Sequence, residues 1–198
     1  MHTDKNYVRF FFFMLILAFS LALFIGCSKP PTQEIESAEK AIAEAQQKEA
    51  DLYAEDEFKK AEDSLKKAQD FSLTKKYKEA KAAAEDARTT ALTSISLIES
   101  NKAQMKTETE QMIPEVEKTL AEVKALAAKA IKTKAVADKE MLQGEIGKYE
   151  LDIEAIKNQL QEQKIRSARD QLQALQSQIN GQKDNLNVAL EQKQQAKK

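Results

Sequence analysis

From residue 35 to residue 186 the apolar side chains of this chain recur at steps of three and four, the spacing that gathers them on one face of an α-helix. Ile35, Ala38, Ile42 and Ala45 form one stripe. Phe58, Ala61, Leu65 and Ala68 form a second, and Tyr77, Ala80, Ala84, Ala87, Ala91 and later Ile98 a third. Alanine, lysine, glutamate, glutamine and leucine dominate, as they do in long helices and coiled coils. Four glycines and three prolines in 198 residues leave few places to turn. The pattern predicts an all-α fold, an elongated antiparallel helical bundle of coiled-coil hairpins. Because so many stripe positions are alanine, its core should be thin and its helices closely packed.

Between Ala68 and Tyr77 the rhythm slips by nine residues. At ~100° per residue, nine residues turn a side chain through about 900°, half a turn out of phase. A continuous helix would therefore swing its stripe to the opposite face. A tight turn within residues 71–76 removes the conflict, with Thr74 as the cap of the following helix. The same slip returns later: Ile146, Tyr149, Ile153 and Ile156 precede a nine-residue gap to Ile165, then Ala168, Leu172, Leu175, Ile179 and Leu186. Each of these lies 88 residues after its counterpart, and Leu120, Val123, Ala127 and Ala130 echo the first stripe more loosely. This spacing predicts an internal duplication into two three-helix units, 32–112 and 114–198. They would meet at Pro114, a residue suited to a first helical turn. The first helix should begin with Thr32 as N-cap and Glu34 and Glu36 where the dipole favours acid, and end within 50–53.

Residues 1–26 are expected to be removed. Lys5 and Arg9 flank sixteen apolar or small residues, 10–25, followed by Gly26 and Cys27, the one cysteine. Sixteen helical residues span about 24 Å, short of the roughly 30 Å hydrocarbon core, so the run suits a cleavable signal peptide better than a membrane span. The closing residues Leu23, Phe24, Ile25, Gly26 and Cys27 resemble the lipobox of bacterial lipoproteins. That resemblance implies that Cys27 becomes the first mature residue and carries acyl chains, palmitate among them. Several chains together hold a protein firmly, where one alone is marginal. Ser28 after the cysteine resembles the default that permits transport to the outer membrane, so the resemblance implies a protein anchored in that membrane and facing the periplasm. Residues 27–31, with Pro30 and Pro31, read as a short stiff tether.

Without residues 1–26 the chain has 29 basic and 31 acidic side chains and no histidine. There is no basic excess to suggest nucleic acid. No histidine or free thiol remains for transition-metal binding or nucleophilic catalysis, and no glycine-rich loop offers a phosphate site. The chain reads as a non-enzyme with no cofactor.

Around Tyr53 the sequence runs Ala50, Asp51, Leu52, Tyr53, Ala54, Glu55, Asp56, Glu57, Phe58, with Ala61 and then Tyr77, Lys78, Glu79, Ala80. This is similar to an alanine-rich helical domain of unknown function in bacterial envelope lipoproteins, whose pattern is Tyr-Ala-x-x-Glu-Leu, spaced alanines and a second Tyr-x-x-Ala. Phe58 stands at the usual leucine. The resemblance covers about 60 residues; it implies a helical periplasmic lipoprotein and brings no catalytic residues. Tyr77 and Ala80 also resemble a fragment of a tetratricopeptide repeat, without its 34-residue period.

Three further features bear on function. Asp51, Glu55, Asp56 and Glu57 could hold calcium, but an acidic helix start accounts for them without a glycine-turned ligand loop. Tyr53, Tyr77 and Tyr149 lie on apolar stripes and are expected in the core rather than stacking on a ligand. The glutamine-rich stretch 159–195 reads as a solvated coiled-coil face or a partner-binding helix. At the end, Lys197 and Lys198 suit a frayed helix terminus; they also resemble the terminal lysine through which the major outer-membrane lipoprotein of enteric bacteria is joined to peptidoglycan. The leading expectation is a lipid-anchored scaffold or adaptor that binds another envelope protein, or a second copy of itself, through helix faces. A peptidoglycan tether linked through Lys198 and a ligand or metal carrier are the alternatives.

Overall fold

Stripes of small residues at helical spacing can be buried only against other helices, and the chain does this throughout. A computed structural model of the protein describes residues 29–196; the signal segment, Cys27, Lys197 and Lys198 lie outside them. The described residues form an all-α bundle of six helices without strands. They are α1 (Thr32–Gln47), α2 (Ala50–Tyr53), α3 (Glu55–Leu73), α4 (Tyr77–Lys132), α5 (Lys139–Gln161) and α6 (Ile165–Gln195).

Both nine-residue slips are turns. After α3, Lys75 takes a left-handed conformation, its N–H donating to Ser72 O and that of Lys76 to Phe71 O. After α5, Gln163 does the same, with Gln163 N–H bonded to Leu160 O and Lys164 N–H to Gln159 O. These are Schellman closures, which return the last carbonyls of a helix to hydrogen bonds. Each bond in the second turn lies 88 residues after its equivalent. No glycine is involved; lysine and glutamine bear the modest left-handed cost themselves. Thr74 is not the cap of α4. Its Oγ1 donates back to Asp70 O and Phe71 O at 3.0 and 3.2 Å, closing α3 instead. Likewise Ile35 N–H reaches Pro31 O at 3.0 Å, so Pro31 takes the cap position and Thr32 is already helical.

Pro114 marks no helix start: it lies inside the 56-residue α4. Its side chain is exposed, so the carbonyl that loses its N–H partner can bond water and the helix continues. Compact packing gathers the described residues into two units. One unit comprises 29–43 and 60–91, the other 44–59 and 92–196.

In the first unit Ala38, Ala68, Ala84 and Ala87 are fully buried, with Ile35, Leu65 and Ala83 packed at their edge. Facing methyl groups permit helix axes to approach to the short end of the ~8–10 Å range. Ser64 Oγ donates to Asp86 Oδ2 at 2.7 Å and Gln69 Nε2 to Glu39 Oε1 at 3.0 Å.

The second unit buries larger side chains. Ile113, Val116, Leu120 and Val123 come from α4, Tyr149, Ile153, Ile156 and Leu160 from α5, and Ile165, Leu172, Leu175, Ile179 and Leu186 from α6. Ion pairs set the helix directions. Lys124 pairs with Glu150, and Glu117 with Lys157 at 2.8 Å, so α4 and α5 are antiparallel. Glu108 with Arg169 at 3.3 Å and Glu122 with Lys183 at 2.6 Å run α4 parallel to α6. These exposed pairs fix register more than they add stability.

Candidate functional site

The residues that carry the Tyr-Ala motif sit at a jog in the helix. Thirteen residues separate Ala45 from Phe58, a rotation of about 1300°, well away from a whole number of turns. The chain resets its phase between them. Glu49 is left-handed, α2 makes a single helical turn, and Ala54 leaves helical geometry before α3 begins. Ala50, Tyr53, Ala54 and Phe58 are all buried, so the motif residues pack the jog. Glu55, Asp56 and Glu57 occupy the first turn of α3, as expected of an acidic helix start.

A four-residue helix leaves carbonyls without partners. Two distant side chains supply them. Asn101 Nδ2 donates to Tyr53 O at 2.8 Å, and Arg166 donates to Leu52 O at 3.1 Å while lying 3.6 Å from Glu55 Oε2. Arg166 is itself held by the two Asp170 oxygens at 3.1 and 3.2 Å. Lys102 Nζ stands 5.0 Å from the Tyr53 ring centroid and 3.8 Å from Glu49, a cation–π placement that covers the Tyr53 ring. Sequence spacing marks none of Asn101, Lys102 and Arg166 as a candidate. For Arg166 a signal existed: arginine occurs only four times in the chain, and its planar, multi-donor head suits shared contacts of this kind.

Asn101→Asp is expected to destabilise the protein more than Asn101→Ala. The alanine leaves a half-buried carbonyl unpaired, at about 1–3 kcal/mol, whereas the carboxylate adds an acceptor facing an acceptor. Urea unfolding of both variants measures the order.

The tyrosines divide. Tyr53 and Tyr149 are buried, and burial, with help from Glu145 and Asp152, pushes the Tyr149 phenol up from its ordinary value. Tyr77 is half-buried and lines a hollow of about 720 Å³ with Lys29, Pro31, Lys78, Lys81 and Glu34. Lys81 lies 2.9 Å from Glu34, and its hydrogen bond holds that carboxyl below the usual carboxylate range. Lys29 and Lys78 add uncompensated positive charge to the rim. Among the described residues no group of three or more acidic, histidine or cysteine side chains is arranged to hold a metal, so Asp51, Glu55, Asp56 and Glu57 do not converge on one point. No helix of the described residues is long and apolar enough to cross a membrane. The lipidation candidate Cys27 and the peptidoglycan candidate Lys198 fall outside the described residues.

No protein-family model, curated protein or solved structure matches this chain.

Proposed function

We propose that the chain is a non-enzymatic, lipid-anchored scaffold or adaptor of the bacterial envelope, held by acyl chains on Cys27 and facing the periplasm, with the outer membrane as its site. The observation that carries the reading is Cys27 after Gly26, at the close of a sixteen-residue apolar run and ahead of a proline tether. Its likeness to envelope lipoproteins with the Tyr-Ala motif supports the same reading. The helical register repeated at 88 residues suits a duplicated binding module. On α5, Leu151 is 72% exposed on the face away from the buried Tyr149 and Ile153, and Met141, 61% exposed, lies on the flank of the same helix. Such a face suits a partner helix from another envelope protein.

Labelling cells with palmitate and separating membranes tests the anchor. The full chain is expected to carry label and sediment with outer membrane, and Cys27→Ser to lose both. A photo-crosslinker replacing Leu151 tests the adaptor role: it should capture one envelope protein, and Leu151→Lys should abolish co-purification of that protein. Unlabelled wild-type protein, or envelope-substrate hydrolysis that a single substitution removes, would overturn the reading.

A further inference from the structure

Two turns of one backbone design carry different surfaces. Leu73, Thr74, Lys75, Lys76 and Lys78 around the α3–α4 turn correspond, 88 residues on, to Gln161, Glu162, Gln163, Lys164 and Arg166 around the α5–α6 turn. The hydrogen bonds closing the two turns are equivalent, so this geometry does not itself require leucine at 73. Yet Leu73 is 81% exposed, the most exposed of the large apolar side chains among the described residues. Lys75, Lys76 and Lys78 are exposed around it, and among the described residues none of the three is ion-paired. In the second turn Lys164 lies 2.7 Å from Glu162, and Arg166 is engaged by Asp170. The first turn is therefore apolar and cationic where the second is polar and compensated.

Its position adds to the contrast. Tyr77 and Lys78, which follow the turn, share a hollow with Lys29 and Pro31. Cys27 precedes Lys29 by two residues, a reach of at most about 7 Å. The turn thus lies at the end of the first unit where the chain enters from its anchor.

We propose that the α3–α4 turn is a second membrane contact, with Leu73 seated at the acyl boundary and Lys75, Lys76 and Lys78 against anionic phospholipid headgroups. The proposal rests on the lipid-anchor reading of Cys27, which places this end of the chain beside a bilayer. An aliphatic side chain leaves water at the interface, and each nearby ammonium is attracted by the negative surface potential. Acyl chains alone tether the protein; the turn would also orient its first unit on the surface. Basic charge alone does not make such a contact. Lys129, Lys132 and Lys134 cluster where α4 ends, but no large exposed apolar side chain stands among them.

The chain has no tryptophan, so Leu73→Trp places a single indole at the turn and Gln161→Trp places one at its equivalent. Each acylated full-length protein is reconstituted into phosphatidylcholine vesicles with or without phosphatidylglycerol. The indole of Leu73→Trp is expected to shift its emission to shorter wavelength, and to be quenched by brominated lipid, when phosphatidylglycerol is present. That of Gln161→Trp should remain in water in both. In the mature chain, residues 27–198, carrying Cys27→Ser, the triple change Lys75→Asn, Lys76→Gln and Lys78→Gln should weaken binding to anionic vesicles about fivefold per lysine, on the order of a hundredfold together. Lys132→Gln with Lys134→Gln should leave binding unchanged, and circular dichroism checks that every variant remains helical. If acylated protein stays on the vesicles while the Leu73→Trp indole is open to iodide in both lipid compositions, the contact is overturned and the anchor stands. An equal shift without phosphatidylglycerol overturns the role of the lysines. Absence of acylation overturns the anchor, and binding of the Cys27→Ser chain without residues 1–26 then decides the contact by itself.

Discussion

Ala84→Leu is expected to destabilise the first unit by about 3 kcal/mol, the upper end of the range for overpacked cores. Ala84 has no exposed surface, and its neighbours Ala38, Ala68 and Ala87 have none either. Three added heavy atoms meet methyl groups on facing helices rather than flexible side chains that could swing aside. The helices must separate, and separation breaks the methyl contacts along the whole stripe. Ala83→Leu is the control, because Ala83 is half-buried at the edge of the same cluster and a leucine there can point outward. Amide exchange should show lost protection within 29–43 and 60–91 for Ala84→Leu and little change for Ala83→Leu. Equal, small effects from both would mean that the alanine contact is not as close as its burial indicates.

The helices were legible in the sequence because burial and periodicity come from the same residues. Ala80, Ala84, Ala87 and Ala91 are all fully buried, as their spacing requires. The turns were legible without glycine because a phase slip is a geometric conflict that only a break can relieve. What the phase could not reveal was how each break is closed. Thr74 bonds backward rather than forward because its hydroxyl reaches the last-turn carbonyls of α3, and nothing in the one-dimensional pattern distinguishes the two directions. Pro114 misled for a related reason: proline costs a helix one hydrogen bond, but on an exposed face water compensates the carbonyl. The supports of the jog were the least accessible. Asn101 and Arg166 bond to backbone carbonyls 48 and 114 residues away, and a backbone partner leaves no mark in side-chain spacing. Cys27 and Lys198, the residues with the clearest chemistry, rest on sequence alone.

Leu172→Ala is the converse change, since Leu172 holds in the later register the place that Ala84 holds 88 residues before. It is expected to cost the second unit about 3 kcal/mol, within the ~2–5 kcal/mol seen when a buried leucine is truncated. Leu172 is 0% exposed, and Ile153, Ile156 and Leu175 are buried on the same pair of helices. Each change imports the residue the other position already uses, yet both should destabilise. The reason is that residue size and helix separation are set together: branched side chains along α5 and α6 hold those helices apart, so one alanine among them leaves a void that its neighbours cannot close. Urea unfolding with amide exchange reads the effect, which should fall on residues 92–196. A loss below about 1 kcal/mol would mean that the helices can slide together to fill the space. That would also weaken the scaffold reading, because a face that presents Leu151 to a partner helix needs a core behind it that does not yield.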